Sequence, residues 1–153
     1  MDVNPGLKRF FNDLVWFTRL MGSRRLVGKQ VDQRGMTGAV NLVFGPTEQH
    51  VWHCDFGENG FKFKCGPHAS PMGTVTVDQD VVLKMLAGMT SYYTAELTGK
   101  IRVEGVGQSA WVLSSTVMQS RANARGGGLR GWISRRHLLS ILRRSGTGYE
   151  LHL

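Results

Sequence analysis

Thr74-Val75-Thr76-Val77-Asp78-Gln79-Asp80-Val81-Val82-Leu83-Lys84-Met85-Leu86-Ala87-Gly88 changes its hydrophobic period in the middle. Thr74 to Val77 alternates as a short strand does, with β-branched residues throughout. Asp78 stands where a helix N-cap belongs, and Gly88 where a C-terminal stop belongs. Between them Val81, Val82, Met85, Leu86 and Met89 form an apolar stripe at helical spacing. Thr90 to Leu97 reads as a second, short helix with Tyr92, Tyr93 and Leu97 as its large residues. Leu97-Thr98-Gly99-Lys100-Ile101-Arg102-Val103-Glu104-Gly105 then reads as a strand bracketed by glycines.

Upstream, Val51 to Phe56 and Phe61 to Cys65 alternate sharply around the turn Gly57-Glu58-Asn59-Gly60. Trp52, Cys54 and Phe56 share one face with Phe61, Phe63 and Cys65. His53, Asp55, Lys62 and Lys64 take the other. This predicts an antiparallel hairpin with an aromatic inner face and a wet outer face. Met36 to Phe44 reads as a preceding strand, stopped by Gly45-Pro46. Before it, Leu7, Phe10, Phe11, Leu14, Phe17 and Met21 fall on one face of a helix that starts after Pro5-Gly6. Downstream, Val106, Ala110, Leu113 and Val117 share the face of another helix running to Gln119, with Trp111 and Met118 flanking it. Arg121 to Gly128 reads as a flexible link, and Trp132 to Arg144 as a short amphipathic helix. The expected order is an α+β arrangement: one largely antiparallel five-stranded sheet with helices on one face.

The chain has 153 residues, enough for one domain, with 41% hydrophobic and 20% charged residues. Its net charge of +8 is uneven: residues 1–35 carry +4, residues 36–120 carry −2, and residues 121–153 carry +6 with seven arginines against Glu150. Basic ends on a near-neutral body point to an anionic partner: nucleic acid, lipid headgroups or an acidic protein. Two cysteines do not make a disulfide scaffold. No secretory leader and no run long enough to span a bilayer is visible. The expectation is a reduced, cytoplasmic protein able to touch a membrane surface.

The densest polar cluster is His50, His53 and Cys54 with Cys65 and His68. Thiolate and imidazole suit zinc. On alternating strands, however, Cys54 and Cys65 face away from His53, so four ligands cannot converge. No metal or other cofactor is expected. Gly107-Gln108-Ser109-Ala110 lacks the second glycine of a nucleophile elbow, and no carboxylate pair is forced together. The sequence shows no catalytic constellation, although a triad assembled in space would escape such a search. Gly126-Gly127-Gly128 has neither the preceding strand nor the Gly-Lys-Ser/Thr of a phosphate loop. Arginines beside it suggest RNA only weakly, since no aromatics are interleaved.

The stretch from Thr74 to Gly105, with a helix after it and one helix and three strands before it, resembles the sterol carrier protein type 2 domain family. The resemblance covers about residues 7–120. It implies an apolar tunnel between sheet and helices and non-catalytic binding of a fatty acyl, sterol-like or isoprenoid lipid. Its lining on this chain would come from Trp52, Phe56, Phe61 and Phe63 on the sheet and Met85 and Met89 on the middle helix. Tyr92, Tyr93, Trp111, Leu113 and Met118 would complete it. Tyr92-Tyr93-Thr94-Ala95 is more polar than the bulky pair common at that place, which leaves ligand preference open. Residues 121–153 lie beyond the resemblance and read as a basic extension. Arg135, Arg136, Arg143 and Arg144 would meet an anionic membrane surface or a partner protein, unless the helix folds back on the domain. An alternative role is an accessory factor that presents an intermediate in quinone or polyketide biosynthesis. An enzyme using the same pocket is a third.

Overall fold

The computed structural model describes residues 3–21, 37–57 and 60–153. Five strands, β1 (Gly38–Gly45), β2 (Gln49–Gly57), β3 (Gly60–Cys65), β4 (Gly73–Asp78) and β5 (Ile101–Gly105), form one sheet in the order β3-β2-β1-β4-β5. Three of the four pairings are antiparallel; β1 and β4 run parallel at the centre. Among the described residues, five helices accompany the sheet: α1 (Pro5–Met21), α2 (Gln79–Ala87), α3 (Tyr92–Leu97), α4 (Ala110–Arg125) and α5 (Gly128–Ser145). The basic link at Arg24, Arg25 and Lys29, Met36, and Glu58-Asn59 of the hairpin turn lie outside the described residues.

The hairpin register pairs Trp52 with Cys65, Cys54 with Phe63 and Phe56 with Phe61. That register turns one face of the sheet into an aromatic floor, and α1 lies on it. Phe11 stacks on Trp52 with ring centroids 5.0 Å apart, and Phe44 and Phe63 close around the pair at 5.1 and 5.9 Å from Phe11. The indole Nε1 of Trp52 donates to Asn12 Oδ1 at 3.1 Å, so its one polar atom is satisfied. Thr18 is fully buried on α1 because its hydroxyl works twice: it donates to the Leu14 carbonyl and accepts from the Phe63 backbone N–H at 3.0 Å. Asn4 caps α1 through Oδ1, which accepts from Gly6 N, while its Nδ2 donates to the Ser145 carbonyl of α5.

The opposite face carries His53, Asp55, Lys62, Lys64, Arg102 and Glu104, with a Lys64–Asp55 ion pair at 2.6 Å. His53 is nonetheless buried, against the expectation of a solvent-facing side chain. The loop after β3 folds over it. His53 Nδ1 donates to the Gly66 carbonyl at 2.7 Å, a carbonyl having no proton to give, and the His68 ring packs at 5.5 Å. Cys54 is buried, whereas Cys65 is exposed rather than part of the core.

Two boundaries differ from the sequence reading. The fourth helix runs four turns to Arg125, through the residues read as a link, after a one-turn 3-10 segment at Gly107–Ser109. The boundary drawn at residue 120 therefore falls inside α4. The C-terminal helix folds back: Leu138, Ile141 and Leu142 are buried in the same core, and α5 packs on α1 and α4. Its fit is tight, since a Cβ on Gly6 would strike the Ile141 carbonyl and the Ser145 backbone nitrogen. Beyond α5 the chain returns along α2, where His152 N donates to the Ala87 carbonyl at 2.7 Å and the Tyr149 hydroxyl donates to Asp80.

Candidate functional site

A groove of about 860 Å3 opens between α2, α3 and α4. Its size falls within the range of small-molecule sites. Three local features build it. Asp78 takes the N-cap position of α2, without a side-chain cap bond. Gly88 ends α2 in the left-handed region (φ 85°), which a glycine adopts without strain. Ser91 then starts α3 by accepting a hydrogen bond from Thr94 N at 3.0 Å. The chain thus turns sharply between α2 and α3 and leaves a wall of Met89, Tyr92 and Tyr93 facing α4. Val117, Met118, Arg121 and Arg125, at positions i, i+1, i+4 and i+8, present the matching face of α4.

The structure brings Met85, Met89, Tyr92, Tyr93 and Met118 together on this groove. Met89, Tyr93 and Met118 are 48%, 69% and 66% exposed, so three large apolar side chains stand open to solvent on one feature. Thioethers of this kind adapt to irregular apolar partners. Trp52, Phe56, Phe61 and Phe63 go elsewhere: they pack on one another and beneath α1. Leu113 is buried and Trp111 half-buried in the core cluster on α4. Among the lining residues that sequence reasoning missed are Val117 and the two cations, Arg121 and Arg125. The cations' spacing of four on the same helix face as Val117 and Met118 was the available signal, and it was hidden by reading 121–128 as a link.

Besides Arg121 and Arg125, the groove's polar residues are Thr90, Ser91, Thr94, Ser114 and the two tyrosines. The Tyr92 hydroxyl is shielded from water and has no hydrogen-bond partner. Burial first, then the nearby Glu96 charge, pushes its phenol up to about 12. Arg121 Nη1 donates to the Leu86 carbonyl at 3.1 Å and Nη2 to the His152 carbonyl at 2.6 Å. Burial, and then the neighbouring Arg125 charge, pull its guanidinium below the ordinary value. Among the described residues, no three His, Cys, Asp or Glu side chains come together as a metal would need.

A second hollow of about 460 Å3 lies on the far side of α4, between α1 and α5. Trp16, Phe17 and Ile133 line it. So do Arg9, Asp13 and His137, where Asp13 Oδ2 lies 2.8 Å from Arg9 Nε and 2.7 Å from His137 Nε2.

A five-stranded sheet in this order, helices on one face and a groove among them define a sterol-carrier-type fold. Solved structures show the same architecture. Sterol carrier protein 2 like 2 from Aedes aegypti superposes with a TM-score of 0.51 at 20% identity, over 71% of this chain and 94% of that one. Sterol carrier protein 2 from Yarrowia lipolytica in its apo form gives 0.52 at 13% identity, over 78% and 94%. The ubiquinone synthesis protein UbiJ-SCP2 gives 0.51 at 13% identity, over 77% and 98%. No protein-family model and no curated protein matches the chain. At these identities the likeness is one of fold.

Proposed function

We propose that this protein binds and carries a hydrophobic ligand, a fatty acyl, sterol-like or isoprenoid lipid, in the groove between α2, α3 and α4. The observation that carries the reading is the exposed apolar trio Met89, Tyr93 and Met118 around one cavity in a sterol-carrier fold. Each methylene taken from water into such a groove contributes about 0.8 kcal/mol, so a long chain needs few polar contacts to bind. The reading is tested by native mass spectrometry of the freshly purified protein, with solvent extraction of its cargo. An apolar adduct is expected, weakened at least about tenfold, or about 1.4 kcal/mol, by Met89→Arg with Met118→Arg. A protein that stays unliganded against fatty acids, sterols and quinones would overturn it.

A second reading is an accessory role in making a hydrophobic product such as a quinone. It draws on the fold shared with a ubiquinone synthesis protein. A quinone precursor in the extract favours it, and a ligand returned chemically altered would point to an enzyme instead.

The partner surface we propose is an anionic bilayer met by the outer face of α5. Leu129, Trp132, Ile133, Arg136 and Arg143 repeat at helical spacing on that face, and all are exposed. The Arg136 guanidinium lies 4.9 Å over the Trp132 ring, a basic and apolar pairing suited to a headgroup interface. Exposed Trp16 on α1 lines the same hollow as Ile133, so the two helices share one surface. Arg135 belongs to a different task, donating to the Ala124 and Gly126 carbonyls at the end of α4.

A further inference from the structure

The groove between α2, α3 and α4 is lined by methionines and Val117 with hydroxyl side chains among them, and its charged side chains are of a single sign. Arg121 and Arg125 line it, and no Asp or Glu does. They stand four apart on one helix face, an arrangement that repels when both are charged. Arg121 spends its donors on two backbone carbonyls, which accept hydrogen bonds without neutralising its charge. Arg125, one turn on, is exposed and forms no ion pair or hydrogen bond among the described residues. Burial first, and then the Arg125 charge, lower the proton affinity of Arg121. Tyr92 also lines the groove, and its hydroxyl, shielded from water, has no hydrogen-bond partner. Buried polar groups are rarely left so.

We propose that the groove selects amphiphiles with an anionic head, a carboxylate or phosphate gripped by Arg125 beside Arg121, over neutral lipids of equal chain length. This rests on the groove being the ligand site, and it names the head that the apolar walls leave open. A guanidinium matches both heads, since its planar fork can donate two parallel hydrogen bonds to a pair of oxygens. The methionine and valine walls take the chain, and they do not distinguish an acid from an alcohol.

The full-length protein is titrated with hexadecanoic acid, hexadecyl phosphate and hexadecanol at neutral pH, by displacement of a fluorescent lipid probe. At least one anionic ligand is expected to bind about tenfold or more tightly than the alcohol, and the tighter of the two identifies the head. Arg125→Gln should bring the ratio of anion to alcohol affinity close to one. Arg102→Gln, which removes the same charge from an exposed position on β5 outside the groove, should keep the wild-type ratio. Equal affinity for acid, phosphate and alcohol in the wild type would overturn the inference, and so would an Arg125→Gln protein that keeps the preference. If none of the three displaces the probe, the lipid-groove reading itself fails.

Discussion

Alternation along a strand decides which face a side chain takes, and what stands over that face decides whether it is buried. Cys54 and Cys65 show the difference. Both lie on the aromatic face by register, and Cys54 is enclosed while Cys65, last in the edge strand β3, is open. Burial pushes the Cys54 thiol well above its ordinary value, and the adjacent Asp55 carboxylate adds to that. Only a thiolate attacks an alkylating reagent at a useful rate. Native protein should therefore take up one equivalent of maleimide, at Cys65, and a second only on denaturation. Mass spectrometry of tryptic peptides checks this, and rapid native labelling of Cys54 would contradict the packing of β2. His53 teaches the complementary lesson. Its outward side was legible in the sequence, but its burial was not, because the covering comes from the loop at Gly66 to His68 and not from any periodic element. Thr18 was equally hidden: a hydroxyl on an apolar helix face is neutral in a pattern and essential only once Phe63 N is beside it.

Elements with strong periodicity were legible, and the junction between α4 and α5 was not. The positions of α1, α2, α3 and all five strands follow from apolar spacing and turn residues. The boundary between α4 and α5 does not, because Arg121 to Arg125 has little apolar patterning to mark it as helix. Gly126 and Gly127 leave just two residues between helices, and Gly131 lies so close to the Gly126 carbonyl that a Cβ would collide with it. These glycines allow close packing where their composition suggests slack. Arg135 then satisfies carbonyls that the end of α4 leaves open. If α5 is part of the core, truncating its buried face is costly and truncating its outer face is not. Ile141→Ala, at a fully buried position, should lower stability by about 2–5 kcal/mol. Leu139→Ala, at 47% exposure, should change it by no more than about 0.5 kcal/mol. Urea denaturation measures both. Equal, small effects would mean that α5 is an appendage.

At the scale of the whole molecule, the sequence separates the charge into a basic start, a near-neutral body and a basic end, and folding decides where that charge faces. It could not show that β4 inserts beside β1, nor that α4 would stand between two hollows. Of the residues expected to line a ligand site, Met85, Met89, Tyr92, Tyr93 and Met118 converge on the groove, while the sheet aromatics that the resemblance assigns to the lining pack on one another and beneath α1. The outer face of α5 brings exposed Leu129, Trp132 and Ile133 together with Arg136 and Arg143. None of the described helices is long and apolar enough to cross a bilayer. Removing α5 would be a poor test, because its inner face holds the core together. Substituting the outer arginines is a better one. Each basic residue near an anionic surface contributes about 1 kcal/mol. Arg136→Gln, Arg143→Gln and Arg144→Gln combined should weaken sedimentation with phosphatidylserine vesicles roughly a hundredfold. Binding of the wild type should also fall as salt rises past physiological strength, as screening shortens the reach of surface charge. Vesicle binding that survives both the triple substitution and high salt would remove α5 as the docking face, and leave the groove without an assigned route to its lipid.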